Sequence, residues 1–351
     1  MAVVTYKCPN CGGGLKYDPA SQKFACEYCL SKFDEEALKD KFVPEEAPEA
    51  PADPAPEEAP GAVVYNCPSC GAEIVTCDTT AATFCFYCHN PVVLAGRLGG
   101  RFLPDKIIPF SVSKEQVTEG LQRWLLSKSF VPKGFFSPEQ VEKLSGVYFP
   151  HWMVNCDAHT RVEGTGNRLR IWRTANTEYT ETSIYRVVRE GDVHFDHMTK
   201  NALKKADAQL VEGVQPYNPE GLKDFDMSFL SGFMAEKRDV EREEVSPALH
   251  REVSQYAASL VRQQVSGYDT VSLQEPDCTI TASDWTYALL PVWVLAYQDK
   301  ASGKLYHYTV NGQTGKVCGE APIDKHKLNL ATLGVGIASF LILLLIGGLL
   351  L

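Results

Sequence analysis

With 351 residues, 44% of them hydrophobic and 22% charged, the chain is long enough to bury a sizeable core beyond its small metal motifs, and two or three globular units are expected. A formal net charge of −10 disfavours a large polyanion as partner unless some local patch is basic. Twelve cysteines, and an N-terminus "MAVVTYKCPN" without the charged start and apolar run of a signal peptide, fit a reducing intracellular compartment better than a disulfide scaffold.

The first segment, residues 1–42, carries Cys8, Cys11, Cys26 and Cys29 as two Cys-x2-Cys pairs separated by fourteen residues. The same spacing recurs in residues 63–96 with Cys67, Cys70, Cys85 and Cys88, and Tyr6 and Tyr65 precede the first cysteine at the same offset. Each Cys-x2-Cys turn places two sulfurs on one edge of a tetrahedron, so two turns close a four-thiolate structural site, most simply for Zn2+. Iron stays open as the alternative metal, since the ligands alone do not choose between them. A closed site holds no water to activate, so two structural ions that fold two small β ribbons are expected, with no catalytic role. His89, beside Cys88, reads as a bystander on the turn.

Charge separates these ribbons from nucleic-acid readers. Ribbon one balances Lys7, Lys16, Lys23, Lys32, Lys39 and Lys41 against six acidic residues, and no lysine or arginine occurs between Lys41 and Arg97. A phosphate backbone would find little to pair with, so nucleic acid is not the expected partner. The intervening residues 43–62, "VPEEAPEAPADPAPEEAPGA", read as a semi-rigid acidic spacer that keeps the first ribbon away from the rest.

Residues 101–323 mix helix and strand signals and are read as an α+β domain with antiparallel strands. Val117, Leu121, Trp124 and Leu125 recur at helical spacing behind a capping-box pattern, Ser113 with Gln116. A shorter helix is expected at 137–146, and another is expected to open at Ser246-Pro247 and carry Leu249, Val253, Tyr256 and Leu260. "YFPHW" at 148–152 is answered by "LLPVW" at 289–293, each a Pro-x-Trp entering a strand, which suggests two related halves. Asn311-Gly312 and Thr314-Gly315 mark a tight hairpin.

Residues 330–351 contain no charge, and at helical rise they would cover about 33 Å. With Lys325, His326 and Lys327 just before them, the expectation is a C-terminal transmembrane helix. It would make the chain a tail-anchored, single-pass protein of the cell membrane with its bulk cytoplasmic.

No nucleophile with its base, phosphate loop or dinucleotide fingerprint is present. "NGQTGKV" places two residues, not four, before Gly315-Lys316 and ends on valine. A non-enzyme is therefore expected. The alternative is a hydrolase-like mononuclear metal site built from His151, Asp157 and His159 or from His194, Asp196 and His197.

The tandem ribbons, the Pro-x-Trp strands, the "NGQTGK" hairpin and the apolar C-terminus together resemble a family of bacterial membrane-anchored tandem zinc-ribbon proteins. Such proteins often carry the labels of transcription factor IIB-type zinc ribbons or of the primosomal helicase. The missing phosphate loop argues against the helicase label. The resemblance implies an adaptor or scaffold in membrane stress, whose partners are phage-shock-type or band-7 (SPFH) scaffolding proteins and the lipid bilayer.

Overall fold

The computed structural model describes residues 6–39, 62–67, 73–85, 91–94, 97–98, 100–128, 130–131, 142–298, 305–319 and 323–349. The acidic spacer 43–61, residues 137–141 of the second expected helix, and Cys70 and Cys88 lie outside these.

The first ribbon is a three-stranded antiparallel sheet of β1 (Leu15–Asp18), β2 (Lys23–Cys26) and β3 (Lys32–Phe33), followed by α1 (Glu35–Lys39). Its register sets Leu15 opposite Cys26 and Tyr17 opposite Phe24, so the strand alternation buries all four on one face. That face is not a self-contained miniature core. The Tyr17 amide donates to the Ser231 carbonyl at 2.9 Å, the Ser231 hydroxyl donates to the Leu15 carbonyl, and the Gln22 side-chain amide donates to the Phe110 carbonyl at 2.8 Å. The rings of Tyr17 and Phe24 pack on Phe229 at 5.3 and 6.0 Å. Gly232 permits this approach: its φ is +93°, and a Cβ there would stand 3.1 Å from that of Lys16. The expectation of a ribbon held away from the body is thus corrected. Tyr17 and Phe24 complete a core shared with the large domain.

After a two-stranded ribbon of β4 (Ala62–Asn66) and β5 (Glu73–Cys77) come β6 (Thr80–Phe84), β7 (Pro91–Val93), β8 (Lys106–Ile107) and α2 (Lys114–Leu126). Two very long strands then form a hairpin, β9 (Ser145–Thr174) and β10 (Thr177–Asn201). The chain continues through α3 (Ala208–Glu212), β11 (Lys223–Asp224), β12 (Met234–Glu236) and α4 (Arg242–Gln263). It closes with β13 (Thr270–Leu273), β14 (Asp277–Gln298), β15 (Leu305–Asn311), β16 (Val317–Gly319) and α5 (Lys325–Leu349).

Among the described residues, eleven strands share one mixed sheet ordered β11-β8-β14-β9-β12-β6-β7, with β10 and β13 on β9, and with β15 and β16 extending from β14. This corrects the expected multidomain α+β fold with antiparallel strands. The protein is mostly β, its second ribbon contributes β6 and β7 to the central sheet, and two of the pairings are parallel, β12 with β9 and β8 with β14. The mixed pairing leaves no trace in the alternation of residues, for a physical reason. Near Tyr148–Val154 the central strand is covered on both faces, so the period-2 signal vanishes there.

The two Pro-x-Trp segments meet as antiparallel neighbours at the middle of the sheet, with Pro150 opposite Leu289 and Pro291 opposite Tyr148. A short strand and a helix precede each long strand: β8 and α2 before β9, β12 and α4 before β14. The short strands are exchanged, β8 pairing with β14 and β12 with β9. The indoles cross in the same way. Trp152 Nε1–H donates to the Val240 carbonyl and Trp293 Nε1–H to the Val112 carbonyl, each at 3.0 Å and each two residues before the opposite helix starts. Tyr148 and Tyr287 hydroxyls accept from the amides of Phe110 and Arg238, two residues further back, each at 3.3 Å.

Helix α2 carries the capping box of Ser113 and Gln116 and buries Val117, Leu121 and Leu125. Helix α4 begins earlier than expected, at Arg242. The Glu241 amide at its start donates to the Glu244 carboxylate at 3.2 Å, and Pro247 lies inside the helix rather than at its start. The C-terminal expectation is also corrected: among the described residues no helix is long and apolar enough to cross a membrane. Helix α5 opens on Lys325, His326, Lys327 and Asn329. The tail-anchored, single-pass membrane localisation goes with it.

The crossed indole bonds give a direct test of what holds the halves together. Trp152→Phe and Trp293→Phe keep most of the apolar bulk but leave a part-buried carbonyl without its partner, so each is expected to lower unfolding free energy by about 1–2 kcal/mol in urea titration. The measurement is the shift of the midpoint at constant slope.

Candidate metal centre

Each of the two Cys-x2-Cys turns of ribbon one is built by the same backbone bonds. Gly12 N–H donates to Cys8 O at 2.8 Å and Leu30 N–H to Cys26 O at 3.0 Å, while Cys8 N–H meets Gly13 O at 2.6 Å and Cys26 N–H meets Ser31 O at 3.0 Å. The residue after the second cysteine is left-handed in both turns, with φ +75° at Gly12 and +60° at Leu30. That twist aims the next amide, of Gly13 or Ser31, at the sulfur of Cys11 or Cys29.

The turns bring all four sulfurs together. Cys8 Sγ lies 3.5 Å from Cys29 Sγ, Cys11 Sγ lies 3.5 Å from Cys26 Sγ, and all four lie within 4.8 Å of one another. A tetrahedral ion with metal–sulfur bonds of about 2.3 Å requires sulfur edges of about 3.8 Å, so Cys8, Cys11, Cys26 and Cys29 fit one metal ion. Cys8 and Cys26 are buried against the body-facing core, and Cys11 and Cys29 are exposed. The centre therefore sits between the docked face of the ribbon and its free end.

At that free end Tyr28 and Leu30 are 74% and 80% exposed. Tyr28 lies over Gly13, where a Cβ would come within 2.5 Å of its ring. Leu30 takes a backbone conformation that costs a branched side chain about 1 kcal/mol, at the position where the first turn uses glycine. Three ribbon lysines are matched by carboxylates, Lys16 with Glu27, Lys23 with Asp34 and Lys32 with Asp18, at 2.8 to 3.0 Å. Sequence reading passed over Leu30. The signal was a broken pattern: glycine follows Cys11 and Cys70, but leucine follows Cys29 and histidine follows Cys88.

Of the second set, Cys67 and Cys85 are both buried in one cluster with Tyr65, Val92 and Leu94, while Cys70 and Cys88 lie outside the described residues. The buried Arg97 steadies this cluster. Its Nε donates to the Tyr65 hydroxyl at 2.7 Å and its Nη1 to the Thr80 carbonyl at 2.7 Å.

Comparison with known proteins finds a relative of nearly equal length. The chain is 29% identical over 349 residues to the uncharacterized protein YdjG of Bacillus subtilis (strain 168), covering 98% of this chain and 97% of that one. No family model and no solved structure matches.

The histidines considered as a mononuclear site do not converge. His151 is buried between β14 and β10. Its Nδ1 lies 3.0 Å from the Phe149 carbonyl, and burial pulls its pKa down to about 4, so it stays neutral. Asp157 is six residues along the strand, about 20 Å away. The others form an exposed cross-strand ladder, His194 Nδ1 with Asp157 at 2.5 Å, His194 Nε2 with Asp196 at 2.8 Å and His159 Nδ1 with Asp192 at 2.8 Å. The carboxylates of Asp157 first and Asp196 second raise the pKa of His194 and favour its cationic form. An imidazole with both nitrogens engaged by carboxylates has none left to offer a metal. His197 donates its backbone N–H to Asn155 Oδ1 at 2.8 Å. Among the described residues, the four ribbon-one cysteines are the group of three or more such side chains whose donor atoms come together.

Proposed function

We propose that the protein is an adaptor whose zinc-folded ribbon one presents Tyr28 and Leu30 to a protein partner. One observation carries this reading. The ribbon's inner face is fixed to the body, while its outer metal turn keeps an 80% exposed leucine in a left-handed conformation that glycine would adopt without strain. A residue kept against both its solvation and its backbone preference is best explained by a contact it makes elsewhere. The family resemblance points to a phage-shock-type or band-7 scaffolding protein as that partner. The ion is zinc, since four thiolates in a closed site suit it and no open position exists for other chemistry. Cys67, Cys70, Cys85 and Cys88 hold a second zinc ion, on the strength of their identical spacing and of the shared burial of Cys67 and Cys85.

Leu30→Gly separates binding from folding because the two effects have opposite signs. Relief of the backbone strain is expected to stabilise the ribbon by about 1 kcal/mol, while loss of the side chain weakens partner binding about tenfold. Calorimetric titration of the full chain against a purified band-7 protein and a purified phage-shock-type protein reads the second effect. Failure of both proteins to bind, or equal binding by wild type and Leu30→Gly, contradicts the proposal. Metal analysis of the purified chain is expected to return two zinc ions, and one after Cys67→Ser with Cys70→Ser. A single ion in the wild type removes the second site.

A further inference from the structure

The hairpin of β9 and β10 leaves the sheet behind. On one side β9 pairs with β14 as far as Arg161 and with β13 from Gly164 to Asn167. On the other it pairs with β12 and then with β10. Among the described residues β10 pairs with β9 alone, so no other strand covers the outer edge of β10 along Thr177–Val187; at the far end the Asn201 amide donates to Glu212. Beyond Asn167 the hairpin is two-stranded, and it carries apolar groups on both faces there, Leu169 and Ile171 on one and Trp172 and Tyr179 on the other, continued at its base by Ile184 and Tyr185. An isolated two-stranded ribbon is marginal in water, and a long open edge is a template for another strand. The stretch Thr177–Phe195 holds no proline or lysine to block such pairing.

We infer that β10 pairs antiparallel with β10 of a second copy, about a two-fold axis through Thr182. Charge complementarity favours a second copy and this register among the centres from Glu181 to Ile184. A two-fold axis perpendicular to the sheet keeps side chains on their own face, so only axes through a residue on the strand line are allowed. Centring on Thr182 sets Glu178 opposite Arg186, Tyr179 opposite Tyr185, Thr180 opposite Ile184 and Thr177 opposite Val187. Each is a favourable cross-strand pair or a neutral one. Centring on Glu181 sets that glutamate against itself, and centring on Ile184 sets Glu178 against Glu190. Centring on Ser183 leaves every charge opposite an uncharged residue. Thr182 is the centre among these four that matches opposite charges. The same pairing extends the stacked Trp172–Tyr179 pair, whose centroids are 5.6 Å apart, with the partner's Tyr185, and continues Ile171 and Thr180 with the partner's Ile184.

A charge exchange tests both the dimer and its register. Within one chain Glu178 pairs with Arg173 and Arg186 with Glu163, and the step from 178 to 186 along the strand spans about 26 Å, so the two side chains cannot meet except across the two-fold. Sedimentation equilibrium of the full chain is expected to show a dimer. Glu178→Arg alone and Arg186→Glu alone should each raise its dissociation constant about tenfold or more, because the two-fold doubles every like-charge contact. The double variant should return to within about threefold of wild type. A wild type that is monomeric at about 100 μM, singles without effect, or a double variant as weak as the singles would each overturn the inference. Association through the exposed apolar side chains of α5 would leave both singles unchanged and so counts against it.

Discussion

Two indole N–H groups reaching across the centre of the sheet set the frame for everything else. Trp152 and Trp293 stand on the neighbouring antiparallel strands β9 and β14, and each fixes the backbone two residues before the other half's helix. Because β8 and β12 are exchanged between the halves as well, neither half completes its own sheet. The aromatic cluster that results, with Phe110 stacked on Phe233 at 4.2 Å and edge-on to Tyr148 and Trp293, fills the space between the exchanged segments. Arg238 plays the corresponding part on the other side. It lies over Trp152, Tyr287 and Phe102 while its guanidinium donates to Glu241 and to the Arg101 carbonyl.

The first ribbon is mounted on that frame rather than tethered beside it. The segment Asp226–Phe233 lies between β11 and β12, which the exchanged halves position, and it offers Phe229, Ser231 and Gly232 to the ribbon's inner face. A metal that orders the Cys-x2-Cys turns also aligns Leu15, Tyr17 and Phe24 for this contact. A metal held by the four cysteines would therefore link the order of the turns to the docking of the ribbon.

How much of this could be read in the sequence varies with how local the cause is. Cysteine spacing exposes the metal site because two turns of four residues determine where their own sulfurs go. The capping of α2 by Ser113 and Gln116 is equally local. The exchange of β8 and β12 has no such signature, since strands of two or three residues show no periodicity and their partners, Ala288 for Lys106 and Val147 for Met234, lie far away in the chain. The apolar C-terminal run misled for the converse reason: composition alone suggested a span, whereas among the described residues no helix is long and apolar enough to cross a membrane. Leu30 was hidden in plain view, as its meaning depends on a backbone angle that only the left-handed position of Gly12 could have suggested.

The linkage of metal to docking is the central claim, and hydrogen exchange of the full chain before and after chelation tests it most directly. Removal of the ion should deprotect the amides of Leu15–Cys26 together with those of Asp226–Phe233, while the paired amides of β9 and β14 stay protected. Unchanged protection at Asp226–Phe233 after the metal is gone would contradict the account, as would loss of protection throughout the sheet.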